Sequence, residues 1–165
     1  ISSIEDPNPV MFFEHKALYR SVEEDVCIDY YNIEIGKANL ICKGNHVSII
    51  SYGLGVHWAL DVLKENPEIS ADLIDLRTLV PLDTETIINS VKKTGKAIVL
   101  HEDVMIGGFG ADIVSIIQDK CFEFLDASVR RSASLDTPIP FSLKLEDNFL
   151  AKKRFKQDLI NLINY

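Results

Sequence analysis

From residue 46 onward the chain alternates short apolar runs with amphipathic segments, and that alternation restricts the fold more than any other feature. "HVSIISYG" is an apolar strand closed by Gly53, and "GVHWALDVLKEN" follows with Val56, Ala59, Leu60 and Leu63 at helical spacing, stopping before Pro67. "SADLIDLRTLVPLD" reads as a second strand and a turn. "DTETIINSVKKTG" reads as a helix with Asp83 or Thr84 as N-cap, lysines in its last turn and Gly95 as C-cap. "KAIVLHE" gives a third strand, "GADIVSIIQDKCFEFL" a third helix, "ASVRRSASL" a fourth strand, and "NFLAKKRFKQDLINLINY" a closing amphipathic helix. Strands buried on both sides and alternating with helices are βαβ units. The expected fold class is therefore α/β, a three-layer sandwich around a mostly parallel sheet.

The first 45 residues lack this regularity. "SSIEDPNPV" joins a polar turn to "VMFFEHKALYR", which begins as a short apolar strand. Residues 21–45 keep no period and read as a connector with short strand pieces, the length expected of a linker between domains. The opening has neither a basic region nor a long apolar core, and it reads as the middle of a longer protein.

Composition narrows the function classes. A net charge of −8 argues against nucleic acid as a partner, because phosphate contacts need clustered Lys and Arg. The basic runs "VKKTGK" and "AKKRFK" are short, flanked by acids, and suit solvated helix faces. No apolar run approaches the length of a membrane span. Cys27, Cys42 and Cys121 form no CxxC pair, which points to reduced, mostly buried thiols in a cytosolic-type compartment.

The stretch "HEDVMIGGFGADI" most resembles an active site. His101 and Glu102 end the third strand, and Gly107, Gly108 and Gly110 precede a helix whose N-terminus could hold an anion. Its spacing matches neither GxGxxG nor a Walker loop, and glycines also serve to turn a strand tightly into a packed helix. The architectural reading is the expected one. His15, His46 and His57 lack metal-site spacing, and neither Ser51 nor Ser90 belongs to a hydrolase signature. Trp58, Phe12 and Phe13 are expected in the core.

Taken in order, "EDPNPVMFFEHKALYR", "VSIISYGLGVHWAL", "LIDLRTLVPLD", "SVKKTGKAIVLHE", "GGFGADI", "FLDA" and "DTPIPF" resemble beta subunits of the thiamin-diphosphate-dependent 2-oxoacid dehydrogenases of pyruvate and branched-chain type. The closing "LINLINY" is similar to the branched-chain members. The resemblance implies that residues 1–20 hold the last strand of a truncated pyrimidine-binding domain, 21–45 a linker, and 46–165 a domain like the transketolase carboxyl-terminal one. It implies a family reaction centre, with thiamin diphosphate and magnesium, in a region outside this chain. No catalytic or cofactor-binding residue is then expected here.

The resemblance also implies two binding features. Ser3, Asp6 and Asn8 would lie at a structural potassium site, chiefly through backbone carbonyls, as hard cations prefer. Asp126 of "FLDA" and the carboxylate of Tyr165 would face basic groups of the dihydrolipoyl acyltransferase core. Other implied partners are the alpha subunit and a second beta subunit, the latter meeting the final helix and the third helix. The implied compartment is a bacterial cytoplasm or the mitochondrial matrix. A different transketolase-like enzyme, such as a deoxyxylulose-phosphate synthase, and a non-catalytic assembly domain are the alternatives.

Overall fold

The computed structural model describes residues 1–165. Its centre is a five-stranded sheet in the order β1-β3-β2-β4-β5, built from β1 (Asn39–Cys42), β2 (Val47–Ser51), β3 (Ala71–Asp75), β4 (Ala97–Val104) and β5 (Arg130–Ser134). The β2, β3, β4 and β5 pairings are parallel, and only β1 runs antiparallel, on the β3 edge. Two very short helices, α1 (Ser2–Glu5) and α2 (Leu18–Ser21), precede the sheet. The helices α3 (Leu54–Glu65), α4 (Thr84–Thr94), α5 (Gly110–Cys121), α6 (Leu143–Phe149) and α7 (Lys152–Ile163) complete the chain.

The apolar strands split their side chains between two cores by the twofold period of a strand. Val47, Ile49, Leu73, Ile98 and Leu100 pack on one face beneath α3 and α7, with Phe155 and Leu159. Ile50, Ile74, Ala97 and Val99 pack on the other beneath α4 and α5, with Ile87, Val91, Ile113 and Ile117. Three layers result, as the alternation of segments requires. The caps are also those expected: Asp83 accepts a hydrogen bond from the Thr86 amide, and Gly95 ends α4 in the left-handed conformation with φ 69°.

Several expectations are corrected. Residues around Val10–Phe13 form no strand, and Phe12 and Phe13 lie exposed instead of in the core. A strand is completed by hydrogen bonds to a neighbour, and no strand lies beside this one. The polar opening contains α1. Within the connector 21–45, where short strand pieces are expected, Asn39–Cys42 forms β1 at the sheet edge. Helix α6 was not expected, and Cys27 is exposed. The buried faces of α5 and α7 lie in the chain's two cores.

One polar cluster is buried among these layers. Asp72, almost wholly buried, accepts from the Gly44 amide (2.9 Å), Ser90 Oγ (2.7 Å) and Lys93 Nζ (2.6 Å). Ser90 in turn meets Ser48, which meets Thr94. Burial pushes the Asp72 carboxyl up, but Lys93, Gly44 and Ser90 together hold it below the usual carboxylate range. Its contribution is therefore complete above that range and is lost as pH falls through the folded value. Asp72→Ala should lower the unfolding free energy by about 3 kcal/mol, because it strands buried donors. Lys93→Ala should cost less than Asp72→Ala, because that ammonium is partly in water and Gly44 and Ser90 still bind the carboxylate. Urea unfolding of both variants checks the ranking.

Candidate functional site

Two places merit examination: the carboxyl edge of the sheet, where open α/β sheets bind ligands, and the opposite edge, where Asp126 sits. The chain order determines the first. The crossover from β2 through α3 leads to β3 on one side, while β4 and β5 lie on the other. The switch point thus falls between the carboxyl ends of β2 and β4. Tyr52 follows β2 there, and His101 and Glu102 stand on β4.

This crevice is filled by the chain itself. His101 is fully buried, and its ring lies parallel to that of Tyr52 at 6.5 Å between centroids. Neither ring nitrogen has a hydrogen-bond partner. Gly108 and Gly110 press on the imidazole. A β-carbon on Gly108 would stand 2.8 Å from His101 Cε1, and one on Gly110 would overlap Nε2 and Cδ2. These two glycines allow α5 to start directly against β4, whereas Gly107 is needed for its φ of 80°. Above them His15 reaches Glu102 at 3.0 Å, so the amino-terminal arm closes the edge.

The corner does not fit a diphosphate with its magnesium. Its glycines back onto an imidazole instead of open space, its neighbouring ionisable groups include Glu102 and Asp103, and nowhere do three His, Cys, Asp or Glu side chains gather as a metal site would need. Burial also pushes the His101 pKa below its ordinary value; nearby Asp103 opposes that and Arg131 assists it. The imidazole, without hydrogen-bond partners, is packed against Tyr52 and the two glycines. Tyr52 is likewise pushed up, to about 12, by burial and then by Asp103 and Glu102.

The second place lies at the amino end of β4. Asp126 donates its amide to Gly95 O at 2.8 Å, and its carboxylate abuts the Gly95 α-carbon, where a β-carbon would overlap Oδ2. Lys96, the next residue, donates Nζ to Ile163 O at 2.7 Å and so ties the end of α7 to the same edge. Asp126 and Tyr165 are both exposed. The surrounding lysines are engaged elsewhere: Lys92 lies over the Phe124 ring at 4.8 Å, Lys93 binds Asp72, and Lys96 binds Ile163. Asp126 has no ion-pair partner within 4.0 Å, and neither does the Tyr165 carboxylate.

The remaining expected residues lie on the arm. Ser3 is in α1, while Asp6 Oδ1 accepts from the Asn8 amide (2.8 Å) and from Asn8 Nδ2 (3.0 Å), closing a turn. Sequence reading passed over Lys96 and saw Gly95 only as a helix cap; their part in seating Asp126 and the end of α7 is visible only in three dimensions.

Comparison with known proteins follows from this geometry. Residues 36–154 match the family model described as transketolase, C-terminal domain. The mitochondrial 2-oxoisovalerate dehydrogenase subunit beta of Dictyostelium discoideum is 42% identical over 85% of this chain and 39% of its own length. The pyruvate dehydrogenase E1 component subunit beta of Bacillus subtilis is 46% identical over 86% of this chain and 44% of its own length. The mitochondrial 2-oxoisovalerate dehydrogenase subunit beta 2 of Arabidopsis thaliana is 42% identical and is matched along 100% of this chain and 46% of its own length. The chain thus spans less than half the length of these relatives. A solved structure, "Split gene transketolase, inactive beta4 tetramer", superposes with a TM-score of 0.69 at 22% identity, over 81% of this chain and 44% of that one, which supports the fold. These relatives include bacterial and mitochondrial proteins, and no helix of this chain is long and apolar enough to cross a membrane.

If His101 is held neutral by the corner, stability should decline as pH falls below the ordinary histidine value of about 6.5, where the unfolded chain takes up a proton that the folded one refuses. The slope should approach about 1.4 kcal/mol per pH unit in wild type beyond that of His101→Leu. Urea unfolding of both proteins at pH values from neutral to mildly acid gives the comparison, and parallel slopes would contradict the assignment.

Proposed function

This chain belongs to the transketolase C-terminal domain family, and from that premise we propose that it is the carboxyl-terminal part of a 2-oxoacid dehydrogenase beta subunit. The single observation that carries the proposal is sequence identity above 40% to beta subunits of both pyruvate and 2-oxoisovalerate enzymes, over more than four-fifths of the chain. The whole protein would oxidatively decarboxylate pyruvate or a branched-chain 2-oxoacid and acylate a lipoyl group. Thiamin diphosphate with magnesium would supply the carbanion chemistry, bound by parts of the enzyme other than these residues. The work of this domain is assembly with an alpha subunit and a second beta subunit, and docking to the dihydrolipoyl acyltransferase core.

Asp126 and Tyr165 form the proposed docking face. Its support is electrostatic: both carboxylates are exposed with no internal cation, so a Lys or Arg from outside meets no competitor. Ser3, Asp6 and Asn8 belong to the same reading as a structural potassium site of the whole subunit. In this chain the hydrogen bonds between Asp6 and Asn8 support a turn-capping role.

Calorimetric titration of the chain with thiamin diphosphate and magnesium should give only the heat of dilution, and a micromolar affinity would return the glycine corner to candidacy. Docking is tested by binding the subunit-binding domain of an acyltransferase core to wild type, Asp126→Ala and a chain amidated at Tyr165. Loss of a desolvated pair should cost about 2–5 kcal/mol, and loss of a rim charge should appear instead as slower, more salt-sensitive association. Unchanged affinity in both variants would refute the face.

A further inference from the structure

The amino end of β4 touches both the segment that carries Asp126 and the end of α7. Gly95 O accepts the Asp126 amide at 2.8 Å, and the adjoining Lys96 donates Nζ to Ile163 O at 2.7 Å. The Lys96 backbone is itself fixed, because its carbonyl accepts from the Ser48 amide at 2.8 Å and from Thr94 Oγ1 at 3.0 Å. The lysine stem therefore leaves a rigid point of the central sheet and ends on α7.

This bond falls where α7 lacks a partner of its own. The last carbonyls of a helix have no acceptor role inside it, and a cation there also meets the negative end of the helix dipole. The last turn of α7 carries no basic residue. Leu159 and Leu162 hold the helix in the core, whereas Asn164 and Tyr165 beyond it are exposed. Ile163 is thus the point at which the end of α7 is tied to the sheet, two residues before Tyr165. Lys96 makes no ion pair within 4.0 Å with Asp126 or with the Tyr165 carboxylate, so it holds the carbonyl without neutralising either of them.

We propose that Lys96 is a positioning residue for docking: by tying the end of α7 to the amino end of β4, it sets where Tyr165 stands relative to Asp126. The inference rests on the docking reading of those two carboxylates and adds a residue that acts through Tyr165 instead of through the partner. The direction of the effect separates positioning from charge. A lysine acting only by its charge would repel a basic partner, and its removal would speed association. A lysine that orders the end of α7 does the opposite, since without it that end must be ordered at the moment of binding.

The test measures binding kinetics of the subunit-binding domain of an acyltransferase core on the full chain and its variants, with urea unfolding as the check that each variant folds. Lys96→Met removes the ammonium while keeping the stem, and it should weaken binding about tenfold, mainly through faster dissociation. Lys96→Gln, whose side chain is shorter, should match it. Lys96→Arg can still donate to the Ile163 carbonyl and should bind within about threefold of wild type. In a chain amidated at Tyr165 the methionine substitution should have no further effect, because the group that Lys96 positions is then gone. Unchanged or tighter binding by both Lys96→Met and Lys96→Gln overturns the proposal. So does an equal loss in the amidated and unamidated chains, which would mark a general effect on the fold. Dependence on Asp126 and the Tyr165 carboxylate without dependence on Lys96 sinks this inference alone, whereas indifference to both carboxylates sinks the docking reading and this inference with it.

Discussion

The close seating of α5 on β4 at His101 is the constraint on which the rest of the structure depends. Gly110 leaves the space that the imidazole fills, Gly108 clears both the imidazole and the Val104 carbonyl, and the helix can then lay Ile113, Ile117 and Cys121 directly on the sheet. A side chain at either glycine would lift the helix start away from β4 and open the core that α4 and α5 share. The same seating closes the switch point with Tyr52, His101 and the His15–Glu102 pair. An edge that in other α/β folds receives ligands is here spent on packing.

The surface has two regions of different character. At the amino end of β4, Gly95 and Lys96 gather Asp126 and the end of α7, while the neighbouring lysines are tied to a ring, a buried carboxylate and a carbonyl. Across the α3–α7 layer four lysines and three carboxylates share one groove, with weak pairs at 3.8 Å. A net charge of −8 conceals this arrangement. Charge distribution over the folded surface, more than the total, sets which partners such a domain can hold.

Much of the fold was legible because its signals are local and periodic. Val56, Ala59 and Leu60 repeat at helical spacing, Asp83 and Gly95 bracket α4, and Val47, Ile49 and Ile50 can be buried on both sides only inside a parallel sheet. The errors fall where structure depends on distant neighbours. Met11, Phe12 and Phe13 have the composition of a strand, but no strand lies beside them. Asn39–Cys42 looks aperiodic because an edge strand with a bulge is only partly buried. Helix α6 exposes Leu143 and Leu145 and buries Phe149, which leaves no apolar stripe to read. The site followed the same rule. His101 and its glycines were visible in sequence as a group, but their mutual contact, which decides between ligand cradle and packing, was not.

The account's central claim is that the glycine-rich corner exists to admit an imidazole. A double-mutant cycle at His101 and Gly110 tests it most directly, with unfolding free energies measured for Gly110→Ala, His101→Ala and the pair. If the two residues compete for one space, Gly110→Ala alone should cost about 1–3 kcal/mol through overpacking, and much less once His101 is alanine, giving a coupling of about 1 kcal/mol or more. Strict additivity of the two single changes would contradict the claim, because it would mean that the glycine serves something other than the histidine.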